Sequence, residues 1–220
     1  MRRFLDLTII LVTLPILVPM ATILVIVKLF CDGRPIFYNS TRIGRLGAEI
    51  TVFKFRTMIL DRSIITEEIQ KYNGGGFEAI PLSSRVYTDA GRVLEKFQLV
   101  ELPQILNIFL NQMSFIGYRP LPQEHLKELK NLVGVKLVNE RQRYSPGVTG
   151  FAQLIGKNNL TPIARLKIEI AEAQFFDNKQ KVFLKLFIYI YLIFATISLV
   201  LAGKIPFLKP ICNKYITQDI

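Results

Sequence analysis

Apolar residues fall along this chain in several distinct rhythms. From Leu7 to Val27 they are almost continuous, and about 20 such residues suffice to cross a bilayer as a helix. Pro15 and Pro19 interrupt the run, and prolines kink or break helices. Length alone supports a spanning helix. A break at mid-run supports a helix that enters the bilayer, turns and leaves by the same face. Arg2 and Arg3 precede the run, and Lys28, Arg34, Arg42 and Arg45 follow it, which fits both ends being cytoplasmic. Beyond the run, Ile36 to Tyr38 and "ITVFKFRTM" alternate as short strands around the turn "RIGRLGAE", predicting a small hairpin. "ILDRSIITEEIQKY" reads as a helix, and the three glycines of "NGGGFEAIPLSS" as a mobile loop. A helical stretch then begins at Ala90, in which Leu99, Leu102, Leu106 and Phe109 repeat at helical spacing. Near the C-terminus, "LFIYIYLIFATISLVLAG" (186–203) is more continuously apolar than a surface helix requires and borderline for spanning. It either lies deep against the N-terminal helix or offers a contact surface to a membrane partner, with Tyr189 and Tyr191 suited to an interfacial position.

Composition sharpens this picture. A chain of 220 residues can bury one substantial core. Half the residues are hydrophobic, and mean hydropathy is positive. The 28 Lys and Arg against 17 Asp and Glu give a formal charge of +11. Such a surface suits anionic lipid, phosphate-bearing substrates or nucleic acid. Apolar segments flanked by Lys and Arg favour lipid, and no RNA-binding signature is present, so nucleic acid is not expected as a partner. "GKIPFLKPICNKY" adds three lysines after the last apolar segment, matching an anionic lipid face. Cys31 and Cys212 share no metal-binding spacing. The single histidine, His125, lies in the polar run "PQEHLKELK". Zinc chemistry and Ser-His-Asp chemistry are therefore poor fits.

Two places carry candidate chemistry. Lys54 and Arg56 stand two apart on the second strand, where they share a face and can meet an anionic group; a solvated strand face is the plainer alternative. In "EKFQLVELPQILNIF" (95–109), Pro103 fits the first turn of a helix. Glu101 then sits near its positive end, where a carboxylate is favoured and can face a cation. The residue before it, Val100, can do no acid, base or nucleophilic work.

"RRFLD" ahead of a proline-interrupted apolar segment, "GRPIFYNSTRIGRLG", "FKFRTM", "LVELPQILNIF", "MSFIGYRPLP" and "SPGVTGFAQLIGKN" follow one another in that order. Together they resemble the bacterial sugar transferase family, the monotopic polyprenyl-phosphate phosphoglycosyl transferases, over roughly residues 1–190. The resemblance implies a re-entrant helix (1–31) broken at Pro15, a small mostly helical α/β (α+β) domain with a short β-hairpin (32–181), and an apolar C-terminal helix with a basic tail (182–220). It places the protein at the cytoplasmic face of a bacterial inner membrane, in exopolysaccharide or other surface-glycan synthesis. The family moves a sugar phosphate from a nucleotide diphosphate sugar to polyprenyl phosphate. An Asp attacks and forms a covalent phospho-sugar enzyme, the following Glu helps hold Mg²⁺, and arginines neutralise phosphate oxygens.

Against that pattern this chain departs at the chemistry. The resemblance puts the nucleophile at Val100 and the metal-binding partner at Glu101. It expects arginine at the positions of Glu95 and Ser145, retains Arg119 after Tyr118, and replaces a tyrosine pair near Phe175 and Phe176. The scaffold residues Gly44, Gly91, Pro103, Gly117, Pro146, Gly147 and Gly150 persist. Three functions follow. A non-catalytic family member would bind an active relative, a copy of itself, a lipid, a nucleotide diphosphate sugar or polyprenyl phosphate; this is the favoured reading. An active transferase would need Glu101 as its nucleophile. A basic membrane anchor would need no small ligand, which Lys54, Arg56, Glu101 and Arg119 argue against.

Overall fold

The computed structural model describes residues 2–72, 80–156, 159–178, 180 and 182–202. The central part of the glycine-rich loop and the basic tail from residue 203 lie outside the described residues. The elements run α1 (Arg2–Asp32), β1 (Phe37–Ile43), β2 (Glu49–Phe55), α2 (Arg62–Lys71), α3 (Asp89–Lys96) and α4 (Ile105–Phe109). There follow β3 (Ser114–Ile116), α5 (Gln123–Val133), α6 (Val135–Gln142), β4 (Gly147–Thr149), α7 (Phe151–Ile155), α8 (Pro162–Asp177) and α9 (Val182–Ala202). The result is a mixed helix and sheet fold dominated by helices, with the expected hairpin β1–β2 and a second two-stranded sheet, β3–β4.

Local sequence explains most of these limits. Asp61 caps α2 by accepting from the Ser63 and Ile64 amides, and Thr88 caps α3 by accepting from the Gly91 amide. Thr161 caps α8 with Pro162 in its first turn. The hairpin turns through a short 3₁₀ segment at Arg45–Gly47, where Leu46 and Gly47 both take positive φ.

Two expectations need correction. The apolar N-terminal segment is one helix with Pro15 and Pro19 inside it, not two pieces separated at Pro15. A proline removes one N–H and crowds the preceding turn, which can bend a helix without ending it. The helical stretch after Ala90 is also not continuous. It stops at Lys96, passes through Gln98 at φ 54°, becomes a 3₁₀ helix at Leu99–Gln104 and resumes as α4. Glu101 and Pro103 thus sit in the 3₁₀ segment, ahead of the α-helical start.

These elements divide into two units that are not consecutive stretches of chain. One comprises Met1–Leu11, Thr41–Val52 and Ile105–Ile220. Its parallel pair β3–β4 aligns Ser114 with Gly147 and Ile116 with Thr149. Ile116, Leu154, Phe176, Ile188, Tyr189 and Leu192 form its main core, with Leu5 and Ile9 of α1 packed against it. The C-terminal helix therefore does lie against the start of α1. Tyr189 is fully buried, however, and donates its hydroxyl to Asp6; it is a core residue, not an interfacial one. A second cluster joins Ile43, Leu126, Val138 and Leu166.

The other unit comprises Val12–Ser40 and Phe53–Gln104. Phe55, Leu94 and Val100 make one cluster, flanked by Leu24, Val25, Ile36, Leu99 and Leu102. Ile80, Val86 and Tyr87 make another, under α2. Gly91 is required here: a Cβ would fall 2.1 Å from the Thr57 carbonyl oxygen.

Candidate active site

The end of β2, the turn into α3 and the 3₁₀ segment bring Lys54, Arg56, Glu95, Val100 and Glu101 into one unit. Lys54 and Glu101 form an ion pair at 3.1 Å, both largely shielded from water. Glu95 accepts a hydrogen bond from the Thr57 hydroxyl at 2.9 Å. Between these residues in sequence, Val100 is 6% exposed and belongs to the Phe55–Leu94 cluster. Burying a valine there stabilises the fold by roughly 1.5–3 kcal/mol.

Arg56 does different work from the expected anion binding. It follows the last residue of β2 and is buried. Its guanidinium donates to four backbone carbonyls: Pro35 at 2.6 Å, Met58 at 2.8 Å, Asp32 at 2.7 Å and Gly33 at 3.2 Å. That fork geometry fastens the exit from α1 to the start of the α2 connection.

Two residues of α1 belong to the same knot, and sequence reasoning did not single them out as a pair. Lys28 and Asp32 are ion-paired with both side chains almost fully buried. Asp32 also accepts from the Thr88 hydroxyl at 2.8 Å. Thr88 in turn binds the Gly91 amide at 3.0 Å, and its own amide donates to Thr57 at 3.0 Å. The available signal was the i, i+4 spacing of Lys28 and Asp32, hidden because a lysine after an apolar run resembles an ordinary membrane flank.

Arg119 and Ser145 lie in the other unit. The Arg119 carbonyl accepts from Arg141, whose guanidinium also binds Glu169 at 2.5 Å and lies 4.0 Å from the Tyr118 ring centre. Burial pushes the Tyr118 hydroxyl well above the usual phenol range. Ser145 lines a cavity together with arginines of α1. His125 is exposed on α5, as its polar setting predicted.

The donor set around Glu101 is that of a neutralised carboxylate. Among the described residues no group of three or more His, Cys, Asp or Glu side chains converges on a metal position. The Lys54 ammonium stands where a cation would approach Glu101. Mg²⁺ is commonly held by one or two carboxylates together with substrate phosphates and water, and Glu101 is the carboxylate that the family resemblance assigns to it.

Among the described residues the helices Arg2–Asp32 and Val182–Val200 are long and apolar enough to cross a membrane, in a chain of formal net charge +11. The model for "Bacterial sugar transferase" matches residues 1–203, and the chain belongs to that family. It is 31% identical over 173 residues to the exopolysaccharide production protein ExoY of Sinorhizobium fredii, covering 76% of this chain and 74% of that relative. It is 34% identical to ExoY of Rhizobium meliloti over 69% of this chain and 67% of the relative. The undecaprenyl-phosphate galactose phosphotransferase of Salmonella typhimurium is 28% identical over 60% of this chain, which corresponds to 28% of that longer protein.

Proposed function

We propose that this chain is a non-catalytic member of its family, serving as a regulatory or scaffolding subunit in surface-glycan synthesis at the cytoplasmic face of the bacterial inner membrane. The observation that carries this is Val100, a buried apolar side chain at the position where the family resemblance expects a nucleophile. Beside it, Lys54 satisfies the charge of Glu101, so the chain needs no Mg²⁺ to keep that carboxylate neutralised. The names of the relatives, exopolysaccharide production and undecaprenyl-phosphate sugar phosphate transfer, support the glycan setting. They also point to a nucleotide diphosphate sugar and polyprenyl phosphate as the ligand class of any retained binding. Membrane lipids and an intact family member, or a second copy of this chain, are its partners in this reading.

The test is an activity assay with nucleotide diphosphate sugars, polyprenyl phosphate and Mg²⁺. The purified protein releases no nucleoside monophosphate, and Val100→Asp alone does not rescue it. Glu95 would still repel the diphosphate, and Ser145 stands where the family resemblance expects a further arginine. Each such defect in a shielded site costs on the order of 2–5 kcal/mol. Combining Val100→Asp with Glu95→Arg and Ser145→Arg yields a detectable covalent phospho-sugar intermediate. Turnover by the unmodified chain that disappears in Glu101→Gln would overturn the reading and make Glu101 the nucleophile.

A further inference from the structure

The first turns of α1, the turn at Arg45 and the start of α9 enclose a cavity of about 440 Å³ within a single unit. Its charges do not balance. Arg2, Arg3, Arg45 and Lys185 line it, against the carboxylates of Asp6 and Asp177. Asp6 is already committed: it accepts from the Ser114 hydroxyl at 2.9 Å, from the Phe115 amide at 3.0 Å and from Tyr189. Asp177 lies 3.4 Å from Arg2. Arg3 donates to the carbonyls of Ile108 and Phe109, and Arg45 to that of Arg143; these contacts orient the guanidinium groups without cancelling their charge. Lys185 is the decisive residue. It is 2% exposed, and among the described residues no carboxylate pairs with it; its ammonium lies 5.9 Å from the Phe175 ring centre. The Nε of Arg2 is also buried without a hydrogen-bond partner.

An ammonium on a largely buried side chain with no carboxylate beside it is electrostatically unfavourable. An anion entering this cavity offsets that. We propose that the cavity is a phosphate-binding site, taking the headgroup phosphate of an anionic phospholipid or the phosphate of a soluble ester. Phosphate matches the set because its several oxygens can accept from Lys185 and from the guanidinium groups that line the cavity, with Tyr144 and Ser145 also on its wall. Position agrees with chemistry. Among the described residues, the two helices long and apolar enough to cross a membrane, α1 and α9, both begin at this cavity. Cations at the ends of apolar helices lie at headgroup depth. The site stands whether or not the chain has enzymatic activity.

Thermal melting of the full chain in neutral detergent tests the site, with phosphatidylglycerol or with inorganic phosphate against chloride at matched ionic strength. Native mass spectrometry counts the bound lipid. Saturable stabilisation is expected, with one phosphatidylglycerol retained per chain if the source is lipid, or a response to inorganic phosphate if it is soluble. Lys185→Met removes an unpaired buried charge, so it raises the melting temperature without ligand and increases the ligand concentration needed at least tenfold. Arg45→Gln, on an exposed turn that does not carry the core, leaves the ligand-free melt unchanged and weakens binding several-fold. No saturable response to either ligand, or both variants responding as the unmodified chain does, overturns the proposal.

Discussion

Val100 packs with Phe55 and Leu94, and a polar replacement would have to lose its water among them. Val100→Ala removes buried methyl groups at about 2 kcal/mol, within the range for core truncations. Val100→Asp adds the desolvation of a carboxylate, so its loss of stability exceeds that of the alanine variant by on the order of 1–3 kcal/mol. Chemical denaturation at neutral pH measures both. An aspartate variant as stable as the unmodified chain would mean that the position is built to hold a carboxylate. A second residue gives a pH signature. Glu172 in α8 is buried, and its carboxylate accepts from the Phe151 amide at 2.6 Å, which holds the start of α7. Burial pushes its carboxyl up to about 7 from the ordinary 4.5, and the Phe151 hydrogen bond and Arg2 only partly offset that. Between those two values the folded state keeps a proton that the unfolded chain releases. Stability from this group is therefore complete below pH 4.5 and declines as the pH rises towards 7. The decline is at most roughly 3.5 kcal/mol, at about 1.4 kcal/mol per pH unit. Glu172→Gln keeps an acceptor for Phe151 and removes the titration. Its unfolding free energy changes less over this window and exceeds that of the unmodified chain at pH 8. An identical pH slope in the two proteins would show that Glu172 is not the group responsible.

Both ends of α1 are fastened to polar, folded parts of the chain. At its start, Arg2 donates to Ala173 at 2.5 Å and Asp6 binds Ser114, Phe115 and Tyr189. At its end, Lys28 and Asp32 join Thr88 and Arg56. Arg2 and Arg3 before the apolar run and Lys28, Arg34, Arg42 and Arg45 after it favour the cytoplasmic side for both flanks, and prolines inside a helix can bend it without ending it. The expected result is that cysteines appended before Met1 and placed at Arg34, in a background where Cys31 and Cys212 are serine, escape a membrane-impermeant maleimide added to intact cells. Labelling of either from outside removes the re-entrant arrangement. Element by element, sequence legibility followed how local the cause was. The hairpin, the helix α2 and the apolar α9 were readable from alternation, pattern and hydropathy. The 3₁₀ segment was not, because spacings of three within six residues fit both helix types. Gln98 takes its positive φ without the usual glycine signal. The role of Arg56 was hidden too, since most of its acceptors lie more than twenty residues away. The glycines marked as scaffold have a steric reason: a Cβ at Gly117 would fall 2.5 Å from the Ser145 carbonyl oxygen, and one at Gly147 would fall 2.2 Å from the Gly117 nitrogen.

On the proposed non-catalytic reading the chain acts through what it touches, and α9 presents an exposed apolar row. Ile188, Tyr189, Leu192 and Ala195 face the core. Phe183, Phe187, Ile190, Phe194 and Ile197 are exposed. Their separations alternate between four and three residues, the 3.5-residue average that keeps one seam facing another helix along its length. Two matching seams, from a second copy of this chain or from an intact family member with an equivalent helix, can interlock. Mild-detergent purification from the native host should therefore recover a dimer or this chain together with an active sugar transferase. Ile190→Ala combined with Phe194→Ala should weaken that association at least tenfold. The melting temperature of the separated chain should stay nearly unchanged, because both side chains point away from the buried face. Recovery in native-like lipid of a monomer with no relative attached would count against the seam and against the regulatory role. Association that survives the double substitution would move the contact elsewhere on the molecule while leaving the regulatory role standing.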